Sequence, residues 1–222
     1  MAGLVSPKHG IPVRVGTLPP LTKEQLIQKL ISEKTLVTPQ IIKAFKNIDR
    51  KDFVLTQDKN RAYEDRPLSI GYGATISQPT TVAIMLEKLQ PQSGEKILEI
   101  GTGSGYMTAL LAEIAGKEGK VFSIEYVSEL KGLAEFNLRK YNLGSIALFT
   151  GDGKVGLKNY SSFDRIISSA SGREMPRSWK NQLTVGGRIV APLGDELVVL
   201  DKVSKRRFKE KRYEGFIFVP LQ

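Results

Sequence analysis

The chain has 222 residues, a formal net charge of +10 and a pI of about 9.7, with 41% hydrophobic and 25% charged residues. These proportions are typical of a globular protein with a sizeable core, and they exclude disorder of the whole chain. Cysteine is absent, which excludes disulfides, a thiolate nucleophile and a cysteine-based zinc site, and favours the cytoplasm. Because no stretch has the long apolar run of a secretory signal or a membrane span, we expect no membrane partner.

The length favours one large domain with a short appended segment. We expect an irregular arm over residues 1–21 and a single domain over residues 22–222. Within that domain, residues 22–80 are expected to form a helical segment on the substrate side. Residues 81–222 are expected to form the cofactor-binding core and a C-terminal hairpin.

Two helices are predicted near the N-terminus. Thr22 and Gln25 match a capping box in front of an apolar stretch, and Thr38 followed by Pro39 indicates the start of a second helix. This small helical segment is expected to continue to about Phe53.

From Lys96 onward, short apolar runs alternate with stretches of helical periodicity. Strands are predicted at residues 96–100, 121–125, 146–150, 165–167, 188–191, 196–200 and 215–219, with helices at 107–115, 128–141 and 179–183. Alternating strands and helices predict an α/β fold with a twisted, mostly parallel sheet and helices on both faces. The last two strands are expected to pair as an antiparallel hairpin.

The positive charge is concentrated between Lys202 and Arg212, where seven basic residues and one acid account for +6 of the net +10. We interpret this stretch as a solvated hairpin turn in which Lys and Arg oppose aggregation. An RNA-binding patch is the alternative, so nucleic acid is a possible partner but not the favoured one.

The first core strand runs directly into a glycine-rich turn. Glu99 precedes the pattern G-x-G-x-G formed by Gly101, Gly103 and Gly105, and Tyr106 stands where a dinucleotide fingerprint requires its last glycine. Glycines permit a tight turn and a close backbone approach to a ligand. The spacing therefore favours S-adenosylmethionine, which presents a sulfonium and a methionine tail and has no pyrophosphate.

Two further carboxylates follow core strands. Glu125 ends the second strand, where an acid accepts hydrogen bonds from both ribose hydroxyls of a bound nucleotide. Asp152 and Gly153 follow the third strand, where the acid could accept from the adenine amino group and the glycine admit the ring. An exposed strand-end acid and an ordinary Asp-Gly turn are the alternatives.

From about Ala62 to Leu221 the chain resembles the protein-L-isoaspartate O-methyltransferases. The resemblance rests on AYEDRPLSIGYGATISQP, KILEIGTGSGY, GDG, FDRII, the glycine pair Gly186-Gly187 and the terminal FVPL. It implies a class I S-adenosylmethionine-dependent methyltransferase fold, Rossmann-like, with a seven-stranded sheet. It also implies that proteins bearing L-isoaspartyl or D-aspartyl residues are the substrate, that methylation starts repair through a succinimide, and that S-adenosylhomocysteine is the product.

The same resemblance implies roles for individual residues. Ser77 matches the family's active-site serine, although a helix N-cap before Pro79 is an alternative use of that side chain. The residues implied to bind the cofactor are Ala74, Thr75, Ile76, Ser77, Ser104, Glu125, Tyr126, Asp152 and Gly153, which join Glu99, Gly101 and Gly103 of the glycine turn. No metal is expected.

Three departures from the family pattern fall on the substrate side: the run Ser169–Arg173, a short loop after Gly194 and a longer N-terminal arm. The single histidine, His9, is expected to be an exposed residue of that arm because of its position near the N-terminus. An ionised carboxylate acceptor needs no general base. An RNA or other protein methyltransferase, or a cofactor-binding protein without turnover, are the alternative functions. The oligomeric state is left open.

Overall fold

A computed structural model of the protein describes residues 20–221. All but the last two residues of the predicted arm over 1–21, and His9 with them, lie outside the described residues. Nothing in the described range is a helix of the length and apolarity needed to cross a membrane.

The two helices predicted near the N-terminus are present, and a short β-hairpin that was not predicted follows them. The elements of this part are α1 (Lys23–Ser32), α2 (Pro39–Asn47), two 3₁₀ turns (Arg50–Phe53 and Thr56–Arg61), an antiparallel hairpin of β1 (Leu68–Gly71) and β2 (Ala74–Ile76), and α3 (Pro79–Leu89). The capping box is confirmed, since Thr22 Oγ1 accepts from the Gln25 amide at 3.2 Å and Gln25 Oε1 accepts from the Thr22 amide at 2.9 Å. Thr38 precedes α2, but its hydroxyl donates to Glu87 at 2.6 Å instead of capping the helix.

Strands and helices alternate after α3. In chain order they are β3 (Lys96–Ile100), α4 (Tyr106–Ala115), β4 (Lys120–Glu125), α5 (Ser128–Leu138), β5 (Ser145–Thr150), β6 (Phe163–Ser168), α6 (Arg177–Gln182), β7 (Leu183–Leu193), β8 (Glu196–Lys202) and β9 (Phe208–Glu214), with 3₁₀ turns at Gly153–Val155 and Lys158–Tyr160. The helix predicted over 128–141 ends at Leu138, and the Tyr141 hydroxyl donates to Asp52 at 2.7 Å.

The seven-stranded sheet has the order β5-β4-β3-β6-β7-β8-β9, in which β3 to β7 are parallel and β8 and β9 are antiparallel additions. The chain builds outward from β3 through β4 to β5 and then returns to place β6 on the other side of β3. The order therefore switches at β3, and ligands in open α/β sheets bind at the carboxyl ends beside such a point. The predicted α/β class and the C-terminal hairpin are confirmed.

Apolar side chains cover both faces of the sheet. On one face Ile97 belongs to an apolar cluster that includes residues of α1 to α5, and on the other Leu98 belongs to a cluster with Phe163 and with Trp179 of α6. Successive strand residues point to opposite faces, so a strand buried on both sides reads as a continuous apolar run. The predicted placement of helices on both faces is confirmed.

The strand predicted at 215–219 is wrong. The strand that pairs with β8 is β9, which contains three of the seven basic residues, and Gly215 at φ +90° follows it. The turn between β8 and β9 closes where the amides of Val203 and Ser204 donate to the Arg207 carbonyl at 3.0 and 3.2 Å. Because β9 is an edge strand with charged side chains on both faces, it lacks the apolar alternation by which strands are recognised.

Candidate active site

The turn from β3 into α4 is built from glycines in left-handed backbone conformations. Gly101, Gly103 and Gly105 have φ values of +87°, +54° and +94°. A Cβ at Gly105 would lie 3.3 Å from side-chain atoms of Ala134 and Leu138 on α5, so the turn also packs too closely for a larger residue. Both the conformation and the contact explain why glycine occurs here.

The Glu125 carboxylate at the end of β4 is 6% exposed and is held by backbone amides. Its Oε2 accepts from the Gly103 amide at 2.8 Å, and its Oε1 accepts from the Val127 amide at 3.0 Å. A carboxylate has about four acceptor sites, so two of them remain for a ligand. Glu125 therefore joins the glycine turn to β4 and still presents acceptors beside it.

A cleft of about 780 Å³ lies at the carboxyl ends of β3, β4 and β6. Seven of the predicted cofactor residues line it: Ala74, Thr75, Gly101, Gly103, Glu125, Tyr126 and Gly153. Its other lining residues, which sequence analysis did not assign to the cofactor, are Tyr72, Gly73, Ile100, Ile124, Val127, Leu130, Ser169, Ala170 and Val219 to Leu221. The cleft thus combines apolar walls with the single Glu125 carboxylate.

Asp152 directly precedes a residue of the cleft but does not itself line it. Its side chain accepts from the Lys154 amide at 2.8 Å and begins the short 3₁₀ turn that follows. Its neighbour Gly153 lines the cleft, and a Cβ there would come within 2.4 Å of the Ile100 side chain. The predicted glycine is therefore required by packing against β3.

Glu99 lies behind the glycine turn, away from the cleft. It is fully buried, and its Oε2 accepts from the Thr108 hydroxyl at 2.5 Å. Its Oε1 has no hydrogen-bond partner within residues 20–221, and burial raises the pKa of this carboxyl to about 8. The structure does not bring Glu99 together with the predicted cofactor residues.

Two further cavities adjoin the cleft. One of about 880 Å³, here called the acceptor pocket, is lined by Pro67, Thr75, Ser77, Gln78, Thr81, Ser169 and residues 217–220. A smaller one of about 360 Å³ contains Ile76, Ser77 and Ser104 and connects the glycine turn to Ser77. Thr75 and Ser169 line all three cavities, so these two hydroxyls mark the junction between them.

Ser77 lines the acceptor pocket and the connecting cavity but not the cleft. The N-cap of α3 is Gln78, so the alternative use of Ser77 as a helix cap is absent from the structure. The Ser77 hydroxyl makes no hydrogen bond within the described residues, whereas its main-chain carbonyl accepts from Arg50 Nη1 at 2.7 Å. The hydroxyl is therefore available to a ligand while its backbone is held.

The C-terminal segment after β9 lies beside residues Ser169–Arg173. The Ser171 amide donates to the Val219 carbonyl, and the Leu221 amide donates to the Ser171 carbonyl, both at 2.8 Å. These bonds bring the VPL ending to the wall shared by the cleft and the acceptor pocket. Both segments stand out in the sequence, one as a departure from the family pattern and one as a family motif, but no local signal indicates that they pair.

No group of three or more His, Cys, Asp or Glu side chains within residues 20–221 is arranged to hold a metal ion.

A model of the protein-L-isoaspartate (D-aspartate) O-methyltransferase family matches residues 21–222. The chain is 41% identical over 202 residues to protein-L-isoaspartate O-methyltransferase of Pyrobaculum islandicum, covering 89% of this chain and 98% of that protein. It is 39% identical over 203 residues to protein-L-isoaspartate O-methyltransferase 2 of Archaeoglobus fulgidus, covering 90% of this chain and 92% of that protein.

Solved structures show the same fold. A protein-L-isoaspartate O-methyltransferase superposes with a TM-score of 0.82 at 28% identity, over 90% of this chain and 65% of the solved chain. A Plasmodium falciparum protein in complex with S-adenosyl-L-homocysteine superposes with a TM-score of 0.81 at 22% identity, over 90% of this chain and 97% of that one. The fold is that of a class I methyltransferase, and both the relatives and the solved structures match about 90% of this chain. The chain belongs to the protein-L-isoaspartate (D-aspartate) O-methyltransferase family.

Proposed function

We propose that this chain transfers the methyl group of S-adenosylmethionine to the carboxylate of L-isoaspartyl or D-aspartyl residues in damaged proteins. The observation that supports this proposal is that three cavities meet at Thr75 and Ser169. There a nucleotide-sized cleft meets a separate pocket open to a second reactant. The ester that forms is a better electrophile than the acid, and succinimide formation then proceeds without the enzyme.

The residues of the cleft fit the cofactor. Glu125 retains acceptors for the two ribose hydroxyls, and the apolar side chains of Ile100, Ile124 and Leu130 provide walls for an adenine ring. A Cβ at Gly101 would enter the space beside Ser169, at 3.5 Å from its Cβ, so glycine permits close approach of a ligand to the backbone. When bound, S-adenosylmethionine supplies a methyl group activated by the sulfonium charge.

The acceptor carboxylate has to be positioned for the reaction, but it has no proton to lose. An isoaspartyl carboxylate with a reference pKa of about 4 is already ionised at neutral pH, and the single histidine of the chain is His9. We assign to Ser77 the hydrogen bond that orients the acceptor carboxylate, with Thr75 and Ser169 at the junction beside it. Orientation of two reactants can account for ~7–11 kcal/mol of a barrier.

The proposal is tested with radiolabelled S-adenosylmethionine and three acceptors: an isoaspartyl peptide, the matched aspartyl peptide and bulk tRNA. We expect label in the isoaspartyl peptide alone, as a base-labile ester. Equal labelling of the aspartyl peptide would contradict the substrate assignment. Label in tRNA would favour an RNA methyltransferase, and cofactor binding without any label would favour a protein that has lost turnover.

A further inference from the structure

Arg50 is a buried arginine whose hydrogen bonds within residues 20–221 all go to main-chain carbonyls. It is 2% exposed, and its guanidinium donates to the carbonyls of Ala62 at 2.8 Å, Ser77 at 2.7 Å and Arg66 at 3.3 Å. The guanidinium also lies 5.6 Å from the ring centre of Tyr106, the first residue of α4. One side chain thus links the segment that carries Ser77 to the helix that follows the glycine turn.

The guanidinium of Arg50 touches no counter-ion in the part of the chain that the structure describes. Within residues 20–221 it takes part in no ion pair. Asp65, the carboxylate that acts on it electrostatically, is bound to Lys29 at 2.7 Å and to Thr80. Burial lowers the pKa of Arg50 to about 10, so it remains protonated at neutral pH. A buried charge without a contacting partner destabilises the fold, so its presence calls for a reason beyond packing.

Among the described residues, none that lines the acceptor pocket has a charged side chain, and the same holds for the connecting cavity. The proposed substrate group is an anion, and desolvating an anion is unfavourable without a compensating positive charge. The Arg50 guanidinium, in direct contact with the main chain of Ser77, is positioned to supply that charge from behind the pocket.

We infer that Arg50 is the positioning residue of the acceptor pocket, which fixes the backbone of Ser77 and provides the positive potential that attracts the substrate carboxylate. This inference rests on the proposed function, because only an anionic acceptor makes use of the charge. Arg50 then acts on acceptor binding and not on cofactor binding, because the residues that Arg50 contacts, Ala62, Arg66 and Ser77, lie outside the cleft.

The test compares two variants with a control. Arg50→Gln removes both the charge and the forked hydrogen bonds, whereas Arg50→Lys keeps the charge and loses the fork. Arg165→Lys is the matched control, because Arg165 is also largely buried and also donates to a main-chain carbonyl, that of Gln90, but lies on β6 outside all three cavities. Each protein is assayed for kcat and KM on an isoaspartyl peptide, and for S-adenosylhomocysteine affinity by calorimetry.

We expect Arg50→Gln to raise KM for the peptide by about tenfold or more and to lower kcat, with cofactor affinity preserved. Arg50→Lys should restore KM towards the wild-type value while kcat stays low, and Arg165→Lys should resemble wild type. A folded Arg50→Gln protein with wild-type KM and kcat would overturn the role of Arg50. So would a loss of cofactor affinity as large as the loss of peptide binding, because that pattern indicates a general structural role. A wild-type protein that methylates no isoaspartyl peptide would instead overturn the proposed function, and this role with it.

Discussion

Glu125 lines the cleft and also holds the fold, because its carboxylate accepts from the amides of Gly103 and Val127. Ser77 is likewise held by one group and open at another. Arg50 donates to its carbonyl, while its hydroxyl stays available in the acceptor pocket. At the scale of single residues, the side chains assigned to ligands are therefore placed by backbone hydrogen bonds. This arrangement fixes their geometry before a ligand arrives.

We expect Glu125→Ala to weaken cofactor binding by ~1.5–3 kcal/mol, the range for hydrogen bonds to a charged group. The ribose hydroxyls lose their acceptor, and the Gly103 amide loses the bond that holds the turn. Calorimetry with S-adenosylhomocysteine measures the change. Glu129→Ala, an exposed acid on the adjacent helix, is the control. Unchanged affinity in a folded Glu125→Ala protein would remove Glu125 from the cofactor site.

We expect Ser77→Ala to lower kcat on an isoaspartyl peptide by an amount equivalent to ~1.5–3 kcal/mol while cofactor affinity is preserved. The reason is that Ser77 lines the acceptor pocket and not the cleft. Rates are measured from about pH 5.5 to 8, with the aspartyl peptide as the negative control.

The same profile tests the absence of a general base. His9→Ala should have no effect, and no ionisation near pH ~6.5, the reference pKa of histidine, should appear in the rate. A rise in rate at that pH that disappears in His9→Ala would contradict a mechanism without a base.

At the scale of elements, the hairpin of β8 and β9 separates the positive charge from the site. Because β8 is antiparallel to β7, the turn at residues 203–207 lies at the end of the sheet opposite the cleft. Three of the seven basic residues lie in this turn, three in β9, and Lys202 is buried with its amino group donating to the Lys180 and Leu183 carbonyls. Six of the seven are thus exposed residues of the hairpin, as interpreted from the sequence, and only Lys202 is not solvated.

We expect neutralising Lys205, Arg206, Arg207 and Lys209 together to leave peptide methylation nearly unchanged, because these charges lie at the far end of the sheet. Exposed charges remote from a site contribute little to it at physiological salt. The measurement is kcat/KM on the isoaspartyl peptide, alongside tRNA affinity as a function of salt concentration. If the stretch binds RNA, the variant should flatten a steep salt dependence. A large loss of peptide methylation would show that the hairpin takes part in substrate binding.

At the scale of the whole molecule, Glu99 is a carboxyl group buried in the core beneath the glycine turn. The folded protein keeps it protonated up to about pH 8, whereas its ordinary pKa is 4.5. Between these two values the folded state binds a proton that the unfolded chain has released, so this group lowers stability as pH rises. Its contribution to stability is therefore present below pH 4.5 and is lost towards pH 8.

We expect Glu99→Gln to reduce the fall in Tm between about pH 5 and pH 8, because the amide cannot ionise; the change in unfolding free energy is on the order of a few kcal/mol. Thermal unfolding of wild type and variant across this range is the measurement, with the exposed Glu118→Gln as control. Tm curves that run parallel in wild type and Glu99→Gln would show that the carboxyl is ionised in the folded protein. If the variant binds the cofactor with wild-type affinity, Glu99 does not contact the cofactor directly.

The sequence was sufficient for features that depend on local periodicity and spacing. The core strands from β3 to β8, the glycine turn and the position of Glu125 follow from apolar runs, glycine spacing and the acid at a strand end. These signals are local because a strand buried on both faces needs continuous apolar residues, and a left-handed turn needs glycine. The edge strand β9 carries neither signal, since its pairing depends on β8 and its side chains face solvent.

Only the tertiary structure decided which distant segments meet. Ser169 follows parallel strand β6, and the C-terminal ending at 217–221 lies beside it. Ser77 follows the separate β1-β2 hairpin, reaches the same pocket and is held there by Arg50. The same packing buries Glu99 behind the glycine turn, whereas its position in the sequence predicted that it binds the cofactor. The chain pattern determines which residues are buried or turn-forming, whereas side-chain direction and long-range contact arise when the sheet and helices pack into one core.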